Sequence, residues 1–141
     1  MLAAARTSAP LVQGDALHLP LRDESVDGIT CGFALRNLVD IEQALKEFAR
    51  VVRRRGRIAI LEVSEPSGIL TRAGHHVYFH RVVPLVGGLI SDKDAYSYLP
   101  ESTAYLPSTE KLVEMFRAAG FAANAEKLMM GATQLIVGTR L

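Results

Sequence analysis

Asp40-Ile41-Glu42-Gln43-Ala44-Leu45-Lys46-Glu47-Phe48-Ala49-Arg50-Val51-Val52-Arg53-Arg54-Arg55-Gly56 and Arg57-Ile58-Ala59-Ile60-Leu61-Glu62-Val63 adjoin in the chain but obey different periodicities. In the first, Ile41, Leu45, Phe48 and Val52 recur at three- and four-residue spacing, which predicts a helix with one apolar stripe. Asp40, with Gln43 three residues on, supplies a capping-box start, and Gly56 is the expected stop. Arg53 to Arg55 then face solvent at the helix C-terminus, where positive charge suits the dipole. The second segment is almost continuously apolar, as expected of a strand covered on both faces of a parallel sheet.

Working towards the N-terminus, Val26 to Phe33 is a second apolar run, interrupted by glycines and preceded by the polar turn Arg22-Asp23-Glu24-Ser25. It completes a strand-helix-strand unit. Pro20 breaks the chain before it, and Leu11-Val12-Gln13 is a short strand candidate ending at Gly14-Asp15. Towards the C-terminus, residues 66–106 form an irregular or helical cap, with Pro84, Gly87-Gly88 and three tyrosines after Ser91. Pro107-Ser108 opens a second helix carrying Leu112, Met115, Phe116 and Ala119, and Gly120 ends it. Phe121 to Leu128 and Thr133 to Thr139 read as an antiparallel strand pair joined around Met130-Gly131.

The 141 residues, 49% hydrophobic and 22% charged, suit one globular domain spanning 1–141. Sixteen basic residues against fifteen acidic ones leave no dense basic face, so no nucleic-acid partner is expected. The single cysteine, Cys31, excludes an internal disulfide and reads as a small core residue. The longest apolar stretch, Ile69 to Ile90, carries Arg72, Arg81 and three histidines, which argues against a membrane span. The start, Met1 to Arg6, lacks the apolar run of a secretory signal, so a reducing, cytoplasmic setting is expected. His75, His76 and His80 lack HExxH spacing and a neighbouring cysteine or carboxylate, so no metal site is expected.

Three strings share order and spacing with a known family: Gly14-Asp15-Ala16-Leu17-His18-Leu19-Pro20, Phe33-Ala34-Leu35-Arg36-Asn37-Leu38-Val39-Asp40 and Tyr96-Ser97-Tyr98-Leu99-Pro100-Glu101-Ser102. With Leu61-Glu62-Val63-Ser64-Glu65-Pro66, they resemble the menaquinone and ubiquinone biosynthesis C-methyltransferases, whose pattern runs GDA-x-x-LPF, FGLRN, KPGG, LEFS-x-P and Y-x-YL-x-ES. The resemblance implies an α/β fold, the Rossmann-like, doubly wound class I methyltransferase sheet. It also implies methyl transfer from S-adenosyl-L-methionine to a ring carbon of demethylmenaquinol or a related prenylated quinol. A different methyl acceptor, or a non-catalytic α/β fragment that docks onto another chain, are the alternatives.

By the same resemblance, Asp15 and Ala16 would hold the adenine, the carboxylate accepting from its amine and the backbone amide donating to its ring. Gly32, where many members carry serine, would contact the cofactor through backbone. Arg36 would stabilise the acceptor's phenolate, with Asn37, Tyr96, Tyr98 and Glu101 on the substrate side. Each has a plainer alternative: Arg36 as a structural ion pair at a strand end, Asp15 as a loop cap, the tyrosines as packing in the cap.

Two departures stand out. Ala34 replaces the family's glycine, and Arg54-Arg55-Gly56 replaces Pro-Gly-Gly, so a positive φ at Arg55 would cost about 1 kcal/mol or more. The family's first strand with its glycine-rich loop, and the acid ending its second strand, find no counterpart here, and Met1 to Arg6 resembles the middle of the helix that follows them. At about 30 residues per strand-helix unit, roughly 60–90 residues would precede this point. The expected sheet therefore lacks its first two strands and leaves Val26 to Gly32 as an apolar edge. A late start codon, a truncated product, or a homodimer or partner chain completing the sheet are the three explanations. A prenylated acceptor also implies transient contact with a membrane surface.

Overall fold

The computed structural model describes residues 6–64 and 106–141, and the cap predicted at 66–106 lies outside them except for Leu106. In chain order come β1 (Val26–Gly32), a 3-10 turn (Leu35–Asn37), α1 (Ile41–Val51), β2 (Val52–Val63), α2 (Thr109–Ala118), β3 (Phe121–Leu128), a second 3-10 turn (Met129–Gly131) and β4 (Thr133–Arg140). The strands form one sheet in the order β1-β2-β4-β3. β1 runs parallel to β2, whereas β4 is antiparallel to both β2 and β3, so β4 is the single reversed strand among the four. The strand-helix-strand unit and the closing antiparallel pair are as the sequence predicts.

Both helices start where the chemistry of their caps places them. The Asp40 carboxylate accepts from the Gln43 N–H at 2.9 Å, and the Ser108 hydroxyl accepts from the Lys111 N–H at 3.3 Å. Both pack on one face of the sheet. There Leu45 and Val51 of α1, Leu112 and Phe116 of α2, and Ile58 and Ile136 of the strands are fully buried in one cluster. The rings of Phe116 and Phe121 meet at 6.2 Å with a tilt of 57°, closing the core where α2 turns into β3 through Gly120 at φ 94°. Arg140 crosses this layer, donating to the Ala49 and Gly120 carbonyls.

The other face differs from the expectation of a strand covered on both sides. Ala59, Leu61, Leu135 and Val137 are only half-buried there, and Gly28, Thr30 and Gly32 are exposed, because no helix among the described residues lies over them. β1 is the sheet edge, as expected.

Two sequence expectations are corrected. The helix ends at Val51, not Gly56, because the β-branched, fully buried Val51-Val52 pair carries the chain straight into β2. Val26 pairs with Val52 but Gly28 with Arg57, so residues 53–56 bulge out of the β1–β2 ladder. Arg53, Arg54 and Arg55 are exposed on that bulge rather than on a helix end; Arg53 pairs with Asp27 at 2.8 Å, and Arg55 takes φ 64°. Leu11-Val12-Gln13 is exposed and not a strand, since no described strand offers it hydrogen bonds; a single antiparallel bridge between Asp15 and His18 forms instead.

Because the Phe116 ring is fully enclosed, Phe116→Ala is expected to lower unfolding free energy by about 3–5 kcal/mol, against about 1 kcal/mol for Asp40→Ala, which loses only a cap. Urea unfolding followed by circular dichroism checks the ranking.

Candidate functional site

Two pieces of chain carry the predicted site residues. The first is the turn from Gly14 to Pro20. One oxygen of Asp15 accepts from the Leu17 N–H at 2.9 Å, and its carbonyl accepts from the His18 N–H at 3.0 Å, a local turn that leaves the carboxylate 65% exposed. Gly14 is required by contact: a Cβ there would lie 2.6 Å from Cδ of Pro20, so only glycine lets the turn close on the proline ring.

Glu47 and Arg50 of α1 tie this turn down, a network that sequence reasoning did not single out. The buried Glu47 carboxylate accepts from the Leu19 N–H at 2.7 Å and from Nε and Nη2 of Arg50 at 2.9 and 2.6 Å. Arg50 in turn donates to the Leu19 and Leu21 carbonyls and pairs with Asp23 at 2.6 Å. The hydrogen bonds from Arg50, aided by the Leu19 N–H and nearby positive charge, hold the Glu47 carboxyl below the usual carboxylate range.

The second piece follows β1. Gly32 is exposed, and a Cβ there would meet nothing within 4 Å, so open space adjoins the backbone at the end of the strand. Phe33 takes φ 56° and donates its N–H to the Leu61 carbonyl at 2.8 Å, turning the chain into the 3-10 turn that carries Arg36 and the exposed Asn37. Arg36 thus stands beyond the strand, not on it.

Its partner is Glu62, fully buried near the end of β2, with Nη1 of Arg36 at 2.5 Å from Oε1. Oε2 also accepts the Arg36 backbone N–H at 3.2 Å, and Oε1 accepts from the Val63 N–H at 2.9 Å. The Arg36 side chain is 7% exposed, its Cζ lies 5.7 Å from the centroid of the Phe33 ring, and its Nε has no hydrogen-bond partner among the described residues. Opposite Glu62 in the ladder, Gln134 is buried; its amide donates to the Val63 carbonyl at 3.0 Å while Oε1 has no partner among the described residues.

The ion-pair alternative for Arg36 is therefore present in the structure, with a donor to spare. Cys31, on the same face of β1 as Ile29, feels this cluster: burial pushes its thiol up, the N–H of Ala34 opposes that, and the negative charge of Glu62 adds to it.

Gly32, Arg36 and Asn37 gather at the carboxyl end of β1, beside Glu62 at the same end of the parallel β2. No hydrogen bond or ion pair among the described residues joins them to Asp15 or Ala16. Tyr96, Tyr98 and Glu101, like the three histidines near residue 80, lie outside the described residues. Among the described residues no group of histidine, cysteine or carboxylate side chains is arranged to hold a metal, and no helix is long and apolar enough to cross a membrane. A signal for Glu62 was legible: it is the one charge inside the run Ile58 to Val63. Gln134 gave a weaker one, since a polar residue at a strand start is ordinary.

This arrangement, with helices on a sheet of parallel strands interrupted by one reversed strand, is the S-adenosylmethionine-dependent methyltransferase fold. It superposes on a SAM-dependent methyltransferase from Thermotoga maritima with a TM-score of 0.64 at 24% identity, covering 92% of this chain and 63% of that one. More narrowly, the sequence profile of the ubiE/COQ5 methyltransferase family matches residues 3–140, and the chain belongs to that family. It is 46% identical over 134 residues to a demethylmenaquinone methyltransferase of Roseiflexus sp. (strain RS-1), covering 94% of this chain and 56% of that protein. It is 42% identical over 118 residues to a ubiquinone/menaquinone biosynthesis C-methyltransferase UbiE of Geotalea uraniireducens (strain Rf4), covering 84% and 49%. The chain thus spans about half the length of these curated relatives.

Two outcomes follow from the site's electrostatics. A carboxyl held low adds stability that is complete above its unfolded value of about 4.3 and is lost as pH falls through its lower folded value. Glu47→Gln is therefore expected to melt lower than the parent chain at pH 7, with the gap closing on acidification below about pH 4.3, as thermal melts across that range would show. Cys31, kept as the thiol, is expected to react with iodoacetamide at pH 7.5 several-fold more slowly than a free cysteine; an equal or faster rate by mass spectrometry contradicts this.

Proposed function

We propose that this chain carries the acceptor side of an S-adenosylmethionine-dependent C-methyltransferase acting on a prenylated quinol, demethylmenaquinol or a close relative. The observation that carries the reading is Arg36: a buried guanidinium just past the carboxyl end of β1, where open α/β sheets place ligands, with its Nε unpartnered among the described residues.

The residues present fit the cofactor in kind. Asp15 is exposed, its Oδ2 held by no hydrogen bond closer than His18 Nδ1 at 3.9 Å, Ala16 follows it in the same turn, and no described side chain fills the space at Gly32. These three would hold S-adenosylmethionine, which when bound supplies an electrophilic methyl group. What the chain must add is alignment and charge. Arg36 donates to a ring oxygen of the quinol and favours its phenolate, which raises electron density on the adjacent ring carbon. Glu62 and the Phe33 ring keep the guanidinium in place. Asn37 is exposed next to Arg36, and Tyr96, Tyr98 and Glu101 complete the substrate side in this reading. The prenyl tail calls for delivery of the acceptor from a lipid surface.

Calorimetric titration with S-adenosylmethionine and a methyl-transfer assay divide the roles. Asp15→Ala is expected to weaken cofactor binding about tenfold, the loss of one hydrogen bond to a charged group. Arg36→Lys is expected to lower turnover about a hundredfold while cofactor affinity stays within about twofold, because the point-charge ammonium cannot replace the guanidinium plane. The reverse pattern overturns the assignment, and transfer to a non-quinol acceptor in preference to the quinol favours the alternative substrate class.

A further inference from the structure

The Arg36–Glu62 pair is built asymmetrically. Two ions that serve only stability at a strand end meet best fork to fork, with two parallel N–H···O bonds satisfying both partners. Here both oxygens of Glu62 have donors, whereas a buried nitrogen of Arg36 has no acceptor among the described residues. The carboxylate takes Nη1 of Arg36 on one oxygen, the Arg36 backbone N–H on the other, and the Val63 N–H as a third donor. Among the described residues the guanidinium is engaged at one nitrogen, leaving Nε buried without a partner. An unpaired buried donor is costly, and costly groups persist where they have a further task.

The surroundings restrain Arg36 without using that nitrogen. Its backbone and its side-chain tip are held by the same carboxylate, and the Phe33 ring, on a backbone at φ 56°, sits by the guanidinium. Positive φ at a phenylalanine is strained geometry of the kind that clusters at ligand sites. Across the ladder from Glu62, Gln134 repeats the pattern, anchored by its amide with a buried oxygen to spare.

We propose that Glu62 is the positioning residue of this site: it holds Arg36 through Nη1 and the main chain so that Nε stays available as the donor to the acceptor's ring oxygen. The inference rests on the quinol reading given above and adds the group that orients the guanidinium.

The test is heteronuclear NMR of the arginine Nε–H groups in the full chain, titrated under reducing, anaerobic conditions with a soluble dihydroxynaphthalene lacking the prenyl tail. The Arg36 signal is assigned by its loss in Arg36→Lys. Expected is a shift of that signal in the parent chain, at least fivefold smaller in Glu62→Gln at equal occupancy, and recovered in part by Glu62→Asp, which keeps the charge. Turnover in Glu62→Gln should fall tenfold or more while cofactor affinity stays within about twofold. Fold loss alone would lower both together. If Glu62→Gln does not fold, the parent chain and Glu62→Asp carry the comparison. An unmoved Arg36 signal in a chain that methylates the quinol overturns the role of Nε and leaves the quinol reading standing. Equal shifts in the parent and Glu62→Gln overturn the role of Glu62. Neither shift nor transfer overturns both readings.

Discussion

Strand β2 places a carboxylate at the end of a row of buried isoleucines. Ile58, Ile60 and Glu62 alternate onto one face, all essentially without solvent, and a side chain such as Glu62 is tolerated there only if its oxygens are filled by donors. The chain after β1 must therefore bring Arg36 back over β2. That requirement shapes the sharp turn at Phe33, the 3-10 turn that follows and the start of α1 after three intervening residues. The same face of β2, continued by Ile136 and Gln134 of β4, receives both helices. One buried charge thus stands where the hydrophobic layer gives way to the candidate site.

A second charge network ties α1 to the Leu19–Asp23 segment and has a different character. Glu47 and Arg50 bond to each other twice and spend their remaining bonds on the Leu19–Asp23 segment, a stretch with no regular secondary structure. Backbone groups there have no ladder to join, so side chains of a rigid helix supply the partners. The Asp15 turn inherits its position through Leu19. Glu47–Arg50 is thus a saturated network that stabilises, whereas Glu62–Arg36 is an unsaturated one that presents a donor.

Much of this was visible in the residues. Period and caps located α1 at Asp40 and α2 at Ser108, and the antiparallel pair after Gly120 followed from a short connection. The resemblance put Gly32 and Arg36 at the end of a strand; β1 does end at Gly32, but Arg36 stands in the 3-10 turn beyond it. Local pattern failed where two local rules competed. A glycine after three arginines resembles a helix stop, but Val51 and Val52 had already been drawn into the core, and the arginines went into a bulge against β1. Leu11 to Gln13 has strand composition, yet a strand is a property of a pair. Nothing in the linear pattern marks Arg50, because its bonds to Leu19, Leu21 and Asp23 span about thirty residues.

Sequence by itself determined the class of the chain, its helix starts and the residues worth examining, because caps, periodicity and motif spacing are local and survive without coordinates. Tertiary structure alone decided how those residues act. Whether Arg36 is saturated depends on which of its nitrogens Glu62 reaches, and that geometry is set by the registry of β1 on β2 and by the turn at Phe33. The pairing of Glu62 with Gln134 likewise arises only when β4 inserts between β2 and β3, a neighbourhood made by chain crossing rather than by sequence distance. Hydrogen-bond satisfaction is a three-dimensional count, and it separates a structural ion pair from one with a donor left to offer.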